Sequence, residues 1–86
     1  MIYKVVIDAT KALVALHKLG VKYSVKKVNF IFVDAENPDG ACHAAIDKLQ
    51  DQIIKEKFSE EVVDFIEDEL PHVVKIIKLV KVKRVQ

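Results

Sequence analysis

Three runs rich in β-branched and aromatic residues divide this 86-residue chain, and the segments between them have helical periodicity. The runs cover residues 2–8, 21–33 and 72–86. An order of strand, helix, strand, two helices and strand predicts helices gathered on a small sheet. We therefore predict one α+β domain over residues 1–86, a two-layer sandwich with three to four strands and helices on one face. Because helices separate successive strands, the order allows parallel pairings through right-handed crossovers or a plait.

The middle run changes its phase at Lys26-Lys27. Residues 21, 23 and 25 are apolar on one face, and Val28, Phe30 and Phe32 continue the alternation one residue out of step. A one-residue slip exchanges the two faces of a strand, so the run is either one strand with a bulge or two short strands. Since two lysines are poor turn residues, we favour one bent strand that returns Phe30 and Phe32 to the core.

Capping residues mark the ends of the predicted helices. Thr10 is a suitable N-cap for the first helix, and Gly20 is placed where a left-handed residue would end it. Asn37-Pro38-Asp39-Gly40 is typical of a turn, from which Asp39 could cap the second helix. Ser59 is predicted to begin the third helix.

Composition indicates a folded protein without a membrane segment or cofactor site. Hydrophobic residues make up 51% of the chain and charged residues 31%. The first run contains Lys4 and Asp8 and is too short for a membrane span or a signal peptide. The single cysteine, Cys42, excludes an internal disulfide and begins an apolar helical stripe, so we interpret it as a buried structural residue in a reducing compartment. We expect a cytoplasmic protein.

Charge is segregated along the chain although the net charge is only +1. Residues 1–33 contain six lysines against one aspartate, residues 34–70 contain twelve acids against three lysines, and residues 71–86 contain five bases and no acid. The middle is therefore acidic and both ends are basic. Such a distribution favours contact with a partner of complementary charge, including a second copy of the chain.

Two acids raise the question of a metal site. VVIDA and IFVDA place Asp8 and Asp34 directly after apolar runs, and parallel neighbouring strands would bring both carboxylates to one sheet edge, where Mg²⁺ could bind. IFVDAEN also resembles the opening strand of the PIN-like NYN ribonuclease domains, and this resemblance implies a metal site that includes Asp34 and Asn37. Those domains carry further acids after later strands, whereas the last run here has none. We therefore interpret the stretch mainly as a turn and keep a magnesium-dependent nuclease-like site as a remote alternative.

Two charged segments are the preferred candidates for function. A solvated helix face and a protected strand edge would explain them without any partner. We nevertheless predict a small non-enzymatic interaction module that self-associates through its C-terminal strand or binds another protein. The alternative is a nucleic-acid-binding regulator that uses the basic strands, with Tyr3, Tyr23, Phe30 and Phe32 available for stacking. The candidate interaction residues are Lys75, Lys78, Lys81, Lys83 and Arg84 in the last run and Glu60, Glu61, Asp64 and Asp68 in the third helix.

Overall fold

A computed structural model describes residues 1–21, 26–54 and 58–83. It confirms a two-layer α+β sandwich in which helices lie on one side of a three-stranded sheet. One short helix more than predicted precedes the last strand. The elements in chain order are β1 (Ile2–Asp8), α1 (Thr10–Lys18), β2 (Val28–Asp34), α2 (Pro38–Ile54), α3 (Glu60–Asp68), α4 (Leu70–Val73) and β3 (Lys75–Val82).

The strand order is β2-β1-β3, and β1 is antiparallel to both neighbours. The expectation of a crossover between the first two strands is wrong. Asp8, at the end of β1, pairs with Val28, at the start of β2, so the chain leaves and re-enters the sheet at the same end. The helices α2 to α4 provide the one crossover, because β2 ends beside Ile2 and β3 begins beside Asp8.

The predicted bend at Lys26-Lys27 falls largely outside the described residues. β2 begins at Val28, and residues 22–25 are not described. The sequence of β3 does not alternate cleanly, because Ile76-Ile77 and Leu79-Val80 are adjacent apolar pairs, and its pairing with β1 is irregular. Val6 pairs with Lys78 and Ile7 pairs with Ile76, which leaves Ile77 as the extra residue of a β-bulge. The bulge explains why this segment lacks clean alternation.

The core lies between the sheet and the helices. Tyr3, Val5 and Ile7 point from the central strand towards the helical layer. Helix α2 covers them with a stripe at spacing of four, which begins at Ala41 and not, as expected, at Cys42. This stripe consists of Ala41, Ala45, Leu49 and Ile53, all buried. None of the described helices is long and apolar enough to cross a membrane.

Helix ends follow capping chemistry, with two corrections to the expected residues. Thr10 is the first residue of α1, and the carboxylate of Asp8 accepts from its N–H and its hydroxyl. Asn37, not Asp39, caps α2, since its side-chain oxygen accepts from Gly40 N–H at 2.8 Å. Ser59 caps α3 as predicted by accepting from Val62 N–H. Gly20, at φ 80°, adopts the left-handed conformation expected after α1.

Candidate interaction surfaces

The sheet has one face without helices, which we call the open sheet face. Its members alternate with the core-facing residues of each strand and are paired across the strands. They are Ile2, Lys4, Val6 and Asp8 in β1; Val28, Phe30, Phe32 and Asp34 in β2; and Lys75, Lys78, Val80 and Val82 in β3. Most of these side chains are apolar; Val28, Phe30, Phe32 and Val80 are each more than a third exposed, whereas Val6 in the central strand is 5% exposed.

Phe30 and Phe32 lie on this open face, so the expectation that they enter the core is wrong. They are 62% and 53% exposed, whereas the alternate residues Ile31 and Val33 are 6% and 3% exposed. β2 is apolar on both faces, and alternation alone therefore cannot decide which face packs against the helices. Of the aromatic residues proposed for stacking, Tyr3 is buried in the core and Tyr23 lies outside the described residues.

Lysine side chains lie among the exposed aromatic residues. Lys4 pairs with Phe32 across the strands, and its Nζ lies 5.0 Å from the ring centroid of Phe30. Lys78 pairs with Val6 next to it. The two acids of the face, Asp8 and Asp34, are at its opposite ends. The centre of the open sheet face is thus apolar, aromatic and cationic.

The two outer edges of the sheet differ. On β2, Lys48 from α2 donates to the carbonyl oxygen of Phe32 at 2.7 Å, which occupies part of that edge. Nothing in the sequence pattern distinguished Lys48 from an ordinary exposed lysine. On β3, no side chain from the described residues donates to the outer backbone groups. The C-terminal strand therefore presents the more accessible edge.

The register identifies which residues of β3 point outwards. The bond from Lys48 shows that the backbone groups of Phe32 face away from β1. In antiparallel pairs, residues alternate between bonding one neighbour and the other, so Lys4 directs its N–H and C=O towards Val80. It follows that Leu79 and Lys81 direct theirs to the open edge.

The charged candidates are exposed, and the described part of the chain contains no ion pair between the two sets. Lys75, Lys78 and Lys81 lie on β3, and Lys83 follows it. The acids belong to α3, and the two in its first turn interact favourably with the positive end of the helix dipole. They are Glu60, Glu61, Asp64 and Asp68. Arg84 lies outside the described residues.

Asp8 and Asp34 cannot form the shared magnesium site that parallel strands would have produced. Asp8 lies opposite Val28, while Asp34 lies opposite Ile2 at the other end of the sheet. Six residue-to-residue steps along β1, from Ile2 to Asp8, separate these ends, about 20 Å at the usual rise. Asp34 binds the N-terminal ammonium of Met1 at 2.9 Å. The described residues contain no group of three His, Cys, Asp or Glu side chains that could hold a metal ion.

The residues implicated by the ribonuclease resemblance have local structural roles. Asn37 uses its side-chain oxygen to cap α2, and Pro38 occupies the first helical position, which suits its fixed φ. Asp34 ends β2 beside the N-terminus. These contacts support the interpretation of the stretch as a strand end, a turn and a helix cap.

Asp8 lies beside a cleft of about 490 Å³ that is lined by Thr10, Lys11, His72, residues 73–74 and Lys75. The hydroxyl of Thr10 is the main cause that lowers the pKa of Asp8, followed by the Thr10 N–H. Lys75 and Lys11 add smaller effects in the same direction, and desolvation opposes them. Asp8 therefore remains a charged cap at this end of the sheet.

Cys42 is half-buried rather than fully buried. Burial raises the pKa of its thiol, and the negative charge of Asp39 raises it further. His43, the next residue, is exposed on another face of the helix. This arrangement disfavours the thiolate and is typical of a structural cysteine.

No protein-family model, curated protein or solved structure matches the chain.

Proposed function

We propose that this protein is a small non-enzymatic interaction module that self-associates through the outer edge of β3. The observation that carries the proposal is the difference between the two sheet edges. Lys48 occupies part of the β2 edge, whereas the described residues leave the β3 edge accessible. A strand edge with free N–H and C=O groups is a template for another strand. A second copy provides such a strand in the same geometry.

The charges of the chain fit a specific association rather than indiscriminate pairing. Lysines and a bulge on an edge strand discourage uncontrolled pairing, and β3 has both. The exposed acids of α3 have no basic partner within the described chain. A second copy can therefore offer its acidic α3 to the lysines of β3. The proposal keeps the cytoplasm as the expected compartment, because a single cysteine cannot form an internal disulfide.

The variant Lys81→Pro tests whether two copies pair through the outer edge of β3. The N–H of Lys81 points outwards, so proline at this position removes a donor from the open edge without removing a bond to β1. The matched control, Lys81→Ala, removes the same charge and keeps the N–H. Sedimentation velocity should show a dimer or larger assembly for the unaltered chain and for Lys81→Ala, and a monomer for Lys81→Pro. Circular dichroism checks that each variant is folded.

Two results would contradict the proposal. One is a monomeric unaltered chain over a wide range of concentration. The other is a folded Lys81→Pro variant that associates as strongly as Lys81→Ala. The second result would show that the copies meet elsewhere on the molecule.

A further inference from the structure

The open sheet face has a different composition from the β3 edge and can serve a separate purpose. Phe30 and Phe32 are more than half exposed on neighbouring positions of the same side of β2. At the usual rise, two residues along a strand are about 6.8 Å apart. Two flat rings at this spacing can each accept one stacked base. Exposed rings therefore suggest a ligand with flat aromatic groups.

The cations of the face are placed to bind a polyanion. Lys4 lies opposite Phe32 by register, and its Nζ lies 5.0 Å from the ring centroid of Phe30; Lys78 lies on β3, opposite Val6. At one end, Lys75 and Lys11 line the cleft beside Asp8. At the other end, Lys81 and Lys83 line a second cleft with Met1, Ile2 and Val82, but Lys81 pairs with the core-facing Tyr3 and therefore lies on the helical side of the sheet. On the open sheet face itself, positive charge is carried by Lys4 on β1 and by Lys75 and Lys78 on β3.

A second copy of the chain fits this face less well. Sheet-on-sheet packing would bury Lys4 and Lys78 of both copies near one another. Burial of unpaired charges is strongly unfavourable. The carboxylates on the face are confined to its ends, where Asp8 accepts from Thr10 and Asp34 binds the N-terminus. Phosphates that follow the lysines, with bases over the rings, satisfy both the charge and the apolar surface.

We propose that the open sheet face binds single-stranded nucleic acid, with bases stacked on Phe30 and Phe32 and phosphates near Lys4 and Lys78. Recognition is of bases and backbone charge, with no base-edge contacts that would select a sequence. Duplex is excluded from the stacking mode because its bases are already paired and stacked. The proposal is independent of the β3 edge, since strand pairing at an edge leaves the face uncovered.

Fluorescence anisotropy with labelled oligo(dT) and oligo(U) of about ten nucleotides tests the proposal. We expect binding at low salt, and weaker binding to a duplex of the same length. Phe30→Ala with Phe32→Ala should raise the Kd for the single strand at least about tenfold, because base–aromatic stacking contributes about 1–3 kcal/mol per base. Val14→Ala, which truncates an exposed apolar residue of α1, is the matched control and should leave the Kd unchanged.

The lysines give a second measurement that does not depend on the rings. Lys4→Ala and Lys78→Ala should each weaken binding and reduce the slope of log K against log salt by about one. Lys18→Ala, at the end of α1, should change neither quantity. Both ring residues are exposed, so circular dichroism and thermal unfolding should find the ring variant folded.

Three outcomes would overturn the proposal. The first is no binding of oligo(dT) or oligo(U) at low salt. The second is binding that the double phenylalanine variant retains in full. The third is loss of self-association in that variant, which would identify the face as an interface between copies. Since Lys81→Pro tests the edge separately, failure of one proposal is distinguishable from failure of the other.

Discussion

At the scale of single residues, the polar side chains at the strand ends are occupied by local hydrogen bonds. Asp8 accepts two hydrogen bonds from Thr10, and Asn37 accepts one from Gly40 N–H. A side chain whose acceptors cap a helix contributes to stability where it stands. The polar strand-end residues that could have formed a metal site therefore stabilise the first turns of α1 and α2 instead.

The pKa of Asp8 should respond to loss of the Thr10 hydroxyl. Thr10→Val removes the 2.6 Å hydrogen bond but keeps the backbone donor, so the pKa of Asp8 should rise towards its ordinary value. Thr10→Ser keeps the hydroxyl and should leave the pKa low. NMR titration of the Asp8 carboxyl carbon measures both. An unchanged pKa in Thr10→Val would contradict the assigned cause.

The same shift determines how Asp8 affects stability at different pH. Its pKa is lowered in the folded state, so its contribution is fully present above the pKa of the unfolded chain. The contribution is lost as the pH falls through the folded-state pKa. The difference in urea midpoint between the unaltered chain and Asp8→Asn should therefore be constant near neutral pH and shrink in acid. A difference in urea midpoint that grows in acid would contradict the lowered pKa of Asp8 in the folded state.

At the scale of elements, β2 is the strand whose faces were hardest to assign. Its core side carries Ile31 and Val33, and its open side carries the two phenylalanines. The larger side chains are thus the exposed ones. Substitutions on the two sides of β2 therefore test which side packs against the helices.

Truncation of Ile31 and truncation of Phe30 should lower the free energy of unfolding by different amounts. Ile31→Ala should lower the free energy of unfolding by about 2–5 kcal/mol, because it leaves a cavity under the helices. Phe30→Ala should lower it by less than about 1 kcal/mol, since it loses exposed surface and the contact with Lys4. Urea denaturation measures both variants. A larger loss for Phe30→Ala would place the opposite face in the core.

Local signals in the sequence predicted the elements well but not their pairing. Ser59 and Gly20 were identified correctly because capping and left-handed geometry depend on neighbouring residues alone. Asn37 could have been identified too, since proline prefers the first helical position and the residue before Pro38 is then the cap. The antiparallel β1–β2 pair also has a signal. A helix of nine residues spans about 14 Å, too short to carry the chain back along a strand of about 23 Å.

The interaction surfaces were only partly predictable. The basic strand and acidic helix follow from charge counts, and the structure places both sets of charged residues in exposed positions within the described chain. The exposed rings could not be predicted, because β2 has apolar residues on both faces and tertiary packing decides between them. Lys48 could not be predicted either. Its contact with Phe32 depends on how α2 crosses the sheet.

At the scale of the whole molecule, charge is distributed between two layers. Acids are exposed on α2 and α3, while Lys75, Lys78 and Lys81 are exposed on β3. Among residues 1–21, 26–54 and 58–83, no ion pair joins the acids of α2 and α3 to the lysines of β3. They are available to a partner.

Self-association should therefore weaken as salt is added. The screening length falls from about 10 Å at 0.1 M salt to about 3 Å at 1 M, so attraction between α3 of one copy and β3 of another is reduced. Sedimentation equilibrium should show a Kd several-fold higher at the upper concentration. Glu61→Gln should reduce this salt effect, whereas Lys18→Gln on α1 should not. Association that is unchanged or tighter in high salt would exclude the charge contribution.

The central position of β1 also has a consequence for how the chain folds. Both pairings among the three described strands involve β1, and Asp8 pairs with Lys75, far along the chain. A contact between such distant residues requires closure of a long loop and slows folding. During synthesis, β1 and β2 can meet early, but one side of β1 stays unpaired until β3 emerges from the ribosome. In that interval the nascent chain exposes an unpaired apolar strand edge, and such edges are prone to aggregation.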